Sequence, residues 1–190
     1  MKMIRLVGVS GSLRRGSNCT AVLRTLQESL GRESLGHDVE MSLARLDELP
    51  LYNQDLEGAF APESVRVFKD EIEGADGLVI CSPEYNFGMS GVLKNALDWA
   101  SRPAFASPLK GKPVLLATCS PAVTGGARAH SQMRDTLAGT LSRVVACRPV
   151  VIGTAHTKIQ DGRLSDEATI KYALEAIGAL IADIAALRIA

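Results

Sequence analysis

The sequence predicts a doubly wound α/β fold: a five-stranded parallel sheet in the order 2-1-3-4-5 with helices on both faces. Three observations predict it. Short unbroken apolar runs, the kind that fill both faces of a buried parallel strand, alternate with patterns of helical period. The alternation runs without a composition break through 190 residues, a length suited to one core and one domain, 1–190. The loops after runs one, three and four are unusually rich in Gly, Ser, Pro and Asn. In the order 2-1-3-4-5 these loops meet at the carboxyl edge, beside the switch point between strands one and three.

The elements follow in order. Ile4 to Val9 is a first strand, and Ser10 to Asn18 a polar loop; Ala21, Val22, Leu23, Leu26 and Leu30 then recur at helical spacing. His37 to Leu43 alternates weakly and gives the second strand, followed by a loop from Leu46 to Leu56 that contains Pro50 and Asn53. Pro62 suits a first helical turn, and Val65, Phe68 and Ile72 continue that helix to Gly74. Asp76 to Cys81 is the third strand, Ser82 to Gly91 its loop, and Gly91 to Trp99 the third helix. Pro103 and Pro108 bracket a connection, and Val114 to Cys119 is the fourth strand. The loop Ser120 to Gly126 enters a helix through Ala127, Met133, Leu137 and Leu141. Val144 to Ala146 and Pro149 to Ile152 make a fifth strand that Pro149 interrupts near one end. Asp161-Gly162 is a turn, and Ser165-Asp166-Glu167 opens a last helix reaching about Leu187.

Charge and cysteine usage exclude several classes. With 21 basic and 21 acidic residues, and Arg14-Arg15 the only adjacent basic pair, the chain offers no phosphate-tracking stripe for nucleic acid. The apolar stretches are too short to span a bilayer and the start lacks a signal-peptide pattern, so no membrane role and a cytoplasmic location are expected. Cys19, Cys81, Cys119 and Cys147 form no C-x-x-C pair and have no nearby His at ligand spacing, so reduced thiols and no metal are expected.

The first loop has the donors to bind a phosphate. Ser10, Ser12, Ser17 and Asn18 bring hydroxyl and amide groups, Arg14 brings a positive charge, and the N–H groups of the following helix point the same way. It is not a P-loop, because no Lys-Ser/Thr pair follows Gly16; nor is it the dinucleotide fingerprint, since two residues separate Gly8 from Gly11. The third loop suits a flat heterocycle. Pro83 stiffens it, Tyr85 offers a ring face, and Asn86 and the backbone offer hydrogen bonds. One phosphate and one flat ring together describe a mononucleotide, and FMN has that shape.

Gly11-Ser12-Leu13-Arg14-x-Gly16-Ser17, Ser82-Pro83-Glu84-Tyr85-Asn86 with Gly91-x-Leu93-Lys94-Asn95-Ala96-Leu97-Asp98-Trp99, and Gly125-Gly126-Ala127-Arg128 carry a resemblance. Residues 4 to 155 resemble the NADPH-dependent FMN reductase family of flavodoxin-like proteins, in particular its bacterial quinone and chromate reductase branch. The resemblance implies that Ser12, Arg14, Ser17 and Asn18 hold the FMN phosphate, with Cys19 standing where relatives often carry an Asn. It implies that Pro83, Glu84, Tyr85 and Asn86 lie along the isoalloxazine, largely through backbone groups, and that Ser120 to Gly126, with Gly125 and Gly126, close over its other edge. It further implies hydride transfer from NADPH, or NADH, to FMN, then reduction of a small-molecule acceptor: a quinone, azo compound, chromate or flavin. The flavin performs the chemistry, so no side chain is named as catalytic. Reductases of this family resemble homodimers or homotetramers, and Trp99, Phe87 and Phe105 are apolar groups suited to such an interface.

Other readings remain. The same fold and cofactor serve electron-carrier flavodoxins, which are acidic where this chain is neutral, and FMN-binding regulatory modules. A nucleotide hydrolase would need carboxylates and a Lys that these loops lack. Arg14, Arg15 and Arg128 suit the phosphates of NADPH or simple solvation equally. Trp99 with Leu93 and Leu97 reads as core or subunit contact, His37, His130 and His156 as structural or exposed, and the Glu84 side chain as turned to solvent or to a partner subunit.

Overall fold

Apolar runs buried along their whole length build the centre of the sheet. In the computed structural model, which describes residues 3–30 and 37–189, all of β3 (Gly77–Ser82) and all of β6 (Pro113–Cys119) are buried. Only central parallel strands covered on both faces show that pattern. β1 (Ile4–Ser10) pairs in parallel with β2 (Val39–Leu43) on one side, Ile4 opposite Val39, and with β3 on the other, Ser10 opposite Cys81. β3 in turn pairs with β6, Leu78 opposite Val114.

The fifth position is split. β7 (Arg143–Val144) pairs with the start of β6 and β8 (Val150–Ile152) with its end, both in parallel. Val145 N–H still donates to the Val114 carbonyl, and the break between the two pieces runs through residues 146–149, where Pro149 has no N–H to donate. The sheet is therefore the doubly wound, flavodoxin-like order 2-1-3-4-5, with its fifth strand in two pieces.

Alternate side chains of each strand point to opposite faces, and two cores result. Ile4, Leu6, Val79, Cys81, Leu115, Ala117 and Cys119 pack with α1 (Asn18–Leu30) and α6 (Glu167–Leu187). Val7, Val9, Leu78, Ile80, Val114 and Leu116 pack with α2 (Glu63–Gly74), α3 (Gly91–Ala100) and α4 (Ala127–Gly139). Each fully buried Leu or Ile contributes on the order of 1.5–3 kcal/mol.

The crossovers are closed by side chains. Ser17 Oγ accepts from Thr20 N–H at the start of α1, Ser90 Oγ from Leu93 N–H at α3, and Asp166 Oδ2 from Thr169 N–H at α6. Each satisfies a donor the helix leaves free. Lys112 Nζ donates to the carbonyls of Glu73 and Ala75 at the end of α2, and burial lowers its pKa.

Two small hairpins lie outside the sheet. β4 (Glu84–Tyr85) and β5 (Gly88–Met89) occupy the stretch read from sequence as a loop; two residues per strand are too few for an alternating signal. β9 (Ile159–Gln160) and β10 (Arg163–Leu164) enclose the expected turn, with Asp161 and Gly162 both left-handed. They follow α5 (Ala155–Lys158), and Leu164 N–H reaches Thr25 Oγ1 on α1. Trp99 is core: it is 1% exposed, its Nε1–H donates to the Pro50 carbonyl, and Tyr52 meets its ring edge-on. That removes it as a surface interface group.

Candidate functional site

The loops after β1 and β3 are joined by hydrogen bonds that leave no space between them. Gly11 N–H donates to the Cys81 carbonyl at 2.8 Å, and Ser90 Oγ–H donates to the Gly11 carbonyl at 2.5 Å. Ser82 Oγ–H donates to the Pro83 carbonyl and accepts from Ser90 N–H. A Cβ on Gly11 would stand 3.0 Å from both Ser82 Oγ and Ser90 Oγ and 3.2 Å from Pro83 Cδ. Glycine is required there by close approach.

Above this seam the first loop presents donors. Its internal bonds use the N–H groups of Arg14 (to Ser12 Oγ), Ser17 (to the Arg14 carbonyl) and Thr20 (to Ser17 Oγ). The N–H groups of Ser12, Leu13, Arg15, Gly16, Asn18 and Cys19 meet no acceptor among the described residues. The Arg14 guanidinium is exposed and has no ion-pair partner among them. Free donors at a helix start beside a cation make an anion site, and a phosphate monoester fits it. Ser12 and Ser17 each already accept a backbone bond, which leaves their hydroxyl protons to donate. Asn18 is the first residue of α1 and half-buried, and Cys19 lies buried under the turn. Ser10 and Thr20 hydroxyls meet at 2.8 Å and tie the helix to the strand beneath the loop.

The third loop is the β4–β5 hairpin. Asn86 (φ 50°) and Phe87 (φ 66°) form its turn in the left-handed region, which Asn tolerates and Phe rarely adopts. Pro83 is half-buried, and Tyr85 and Asn86 are exposed. Glu84 departs from expectation. Its Oε2 accepts from the N–H of Arg128 at 2.9 Å and of Ala129 at 3.1 Å, so the half-buried carboxylate caps α4 within its own chain. The reason is local: Gly126, at the cap position, has no side chain, and the first turn of α4 has no acid.

The loop after β6 packs against that cap. Gly125 (φ 62°) and Gly126 (φ 92°) are buried and left-handed, and a Cβ on Gly125 would lie 2.6 Å from Val151 Cγ1. Ser120 Oγ accepts from Ala122 N–H, while Ser120 N–H donates to the Ile152 carbonyl. Thr118 Oγ1, at the end of β6, is buried with no partner among the described residues and lies 3.4 Å from a Cβ built on Gly126.

Titration in this region follows burial. The Cys81 thiol is pushed up by its hydrogen bond to Cys19 and by burial, and burial holds Cys119 at about 12. Burial and the Arg134 charge lower His130, which is 6% exposed. All four cysteines are free. A cavity of about 320 Å³ between α2 and α3, lined by Val65, Lys69, Trp99 and Arg102 among others, takes no residue from these three loops.

The structure thus gathers the expected residues of loops one and three at the switch point and loop four beside them. Sequence reasoning missed Ser90, Thr118 and Gln132. Ser90 carries a signal, a Ser just before a helical pattern; the other two reach the site through tertiary packing alone.

A doubly wound sheet whose switch point carries free backbone donors on one loop and an exposed aromatic hairpin on the next has the layout of a mononucleotide-binding protein. The sequence pattern of the NADPH-dependent FMN reductases matches residues 4–157. An NAD(P)H-dependent FMN reductase of Pseudomonas aeruginosa is 40% identical over 165 residues, 86% of each chain. A quinone reductase of Escherichia coli is 38% identical over 174 residues, 89% of each. Among solved structures, the flavoenzyme NAD(P)H:(acceptor) oxidoreductase of Paracoccus denitrificans superposes with a TM-score of 0.77 at 34% identity, covering 95% of both chains. The chain belongs to the NADPH-dependent FMN reductase family, oxidoreductases that use FMN and NAD(P)H.

Proposed function

We propose that this reductase binds one FMN across loops one, three and four and passes electrons from NADPH, or NADH, to a quinone in two half-reactions. Azo compounds, chromate and free flavin are further acceptors of the same kind. The observation that carries the reading is the seam at Gly11, which sets the free donors of loop one beside the exposed hairpin of loop three. FMN, when bound, supplies a ring that takes hydride at N5 and returns the electrons to an acceptor.

The chain's own residues bind and orient. Ser12, Arg14, Ser17 and Asn18 hold the phosphate with hydroxyl, guanidinium, amide and helix N–H groups. Pro83, Glu84, Tyr85 and Asn86 present backbone groups to the ring, Glu84 with its carboxylate turned away into α4. Ser120, Gly125 and Gly126 bound the remaining edge. No side chain is asked to move a proton: Glu84 is engaged by two N–H groups, and His130 is buried beside α4 and β6. Free thiols suit a cytoplasmic location. Phe87 and Phe105, 70% and 72% exposed, support a homodimer or homotetramer in which a second copy walls the flavin; light scattering checks it.

The test is an anaerobic mixture of FMN-saturated protein with NADPH and then NADH, followed at the flavin band near 450 nm. The expected result is rapid bleaching by one or both, reversed by a quinone. Bound flavin that stays oxidised overturns the reaction, and protein that binds no flavin overturns the site.

A further inference from the structure

We propose that α4 is the element that holds the ring-facing hairpin in place, with Glu84 of the hairpin and Gln132 of α4 as the positioning residues. The proposal rests on the FMN reading above.

The hairpin cannot hold itself. β4 and β5 share only two pairs, Glu84 with Met89 and Tyr85 with Gly88, and an isolated hairpin of this size is not stable in water. Its turn also places Phe87 at φ 66°, a conformation that costs a non-glycine residue free energy unless its surroundings impose it.

Three contacts from α4 impose it, one on each part of the hairpin. At the first strand, Glu84 Oε2 takes the N–H groups of Arg128 and Ala129 at 2.9 and 3.1 Å, charge-assisted bonds at a helix N-terminus. At the turn, the Arg128 guanidinium lies 4.1 Å from the Phe87 ring centroid. At the second strand, Gln132 Oε1 accepts from Met89 N–H at 2.6 Å. Arg128 and Gln132 are one helical turn apart and so lie on the same side of α4. Between these fixed points stand Tyr85 and Asn86, whose backbone faces the ring in the proposed site. On the far side the hairpin continues into Ser90, bound to Gly11 of the phosphate loop. The ring-facing residues are therefore clamped between α4 and loop one.

Two variants separate positioning from plain stability. Gln132→Leu removes the Met89 bond and leaves the α4 cap intact; Glu84→Gln weakens the cap and the tether together. Each is compared with wild type by FMN titration, by the flavin absorption bands and midpoint potential, by unfolding temperature without FMN, and by amide exchange at Gly88 and Met89 in FMN-free protein. The expected result for Gln132→Leu is faster exchange at both amides, a shifted flavin spectrum, FMN affinity about tenfold weaker, the scale of one lost hydrogen bond, and an unfolding temperature lower by only a few degrees. Glu84→Gln is expected to show the same shifts with a larger fall in unfolding temperature. The proposal is overturned if Gln132→Leu speeds hairpin exchange but leaves FMN affinity, spectrum and potential at wild-type values. It is equally overturned if exchange does not change. A wild-type chain that takes up no FMN defeats the cofactor reading and this one with it, whereas silent variants of a flavin-binding wild type defeat this one alone.

Discussion

Gly11 does its work by lacking a side chain. Two hydroxyl oxygens at 3.0 Å and a proline carbon at 3.2 Å surround the space a methyl would fill, and they belong to the end of β3, the residue after it and the cap of α3. Gly11→Ala must push these apart. The expected cost is about 1–3 kcal/mol of stability, typical of overpacking, with weaker FMN binding because loops one and three separate. Urea unfolding and flavin titration of the variant measure both. His130 gives the pH dependence at this scale. Its burial and the Arg134 charge oppose protonation in the fold, although a hydrogen bond to the Leu116 backbone favours it. The folded pKa lies below the unfolded one, near 6.5, so below that pH the unfolded chain binds the proton more readily. Stability is complete above about pH 6.5 and declines as the pH falls through the interval down to the folded pKa. Urea unfolding at pH 7.5 and 5.5 should show the loss, and His130→Gln should shrink the difference.

At the scale of elements, the helix starts are held by single side chains, and α6 shows this plainly. Asp166 accepts from Thr169 N–H at 2.9 Å, and its hydrogen bonds to the Thr169 hydroxyl and N–H lower its pKa. Asp166→Ala should cost about 1 kcal/mol, visible as a lower melting temperature at pH 7. Asp166 was legible as a cap in the sequence because an acid before a helical pattern has one common use. Strands one, three and four were equally legible, since their apolar runs are unbroken. The β4–β5 hairpin was not, because its strands are shorter than the period that would reveal them. The carboxylate of Glu84 was not legible either. Its partner is a helix end 44 residues away, and only the meeting of loops three and four makes that end need an acid. In the fifth strand Pro149 announced an interruption, but the extent of the break follows from pairing with β6, which one strand's sequence does not contain.

The whole molecule is a frame that brings distant segments to one edge. Gly11 and Ser90 are 79 residues apart yet bonded, so the binding surface exists only in the folded chain. A ligand that recognises that surface must stabilise the fold by mass action. FMN at one hundred times its dissociation constant should add about 2.7 kcal/mol and raise the melting temperature by roughly 5–11 °C for a chain of this size. Differential scanning fluorimetry across an FMN series tests it; a flat series would show that the flavin does not engage the native edge. This linkage joins the three scales, since any substitution that loosens Gly11 or α4 should flatten the same curve.

The three thiols at the base of the site have a bearing on what such an enzyme survives. Quinones are Michael acceptors as well as oxidants, and they alkylate thiolates. Cys19, Cys81 and Cys119 are at most 2% exposed, and Cys81 and Cys119 are held in the protonated form at neutral pH. Sulfur fills the core under the phosphate loop without offering a nucleophile to an arriving electrophile. After incubation with excess benzoquinone, peptide mass spectrometry should find the adduct at Cys147, the half-exposed thiol, and leave the other three unmodified.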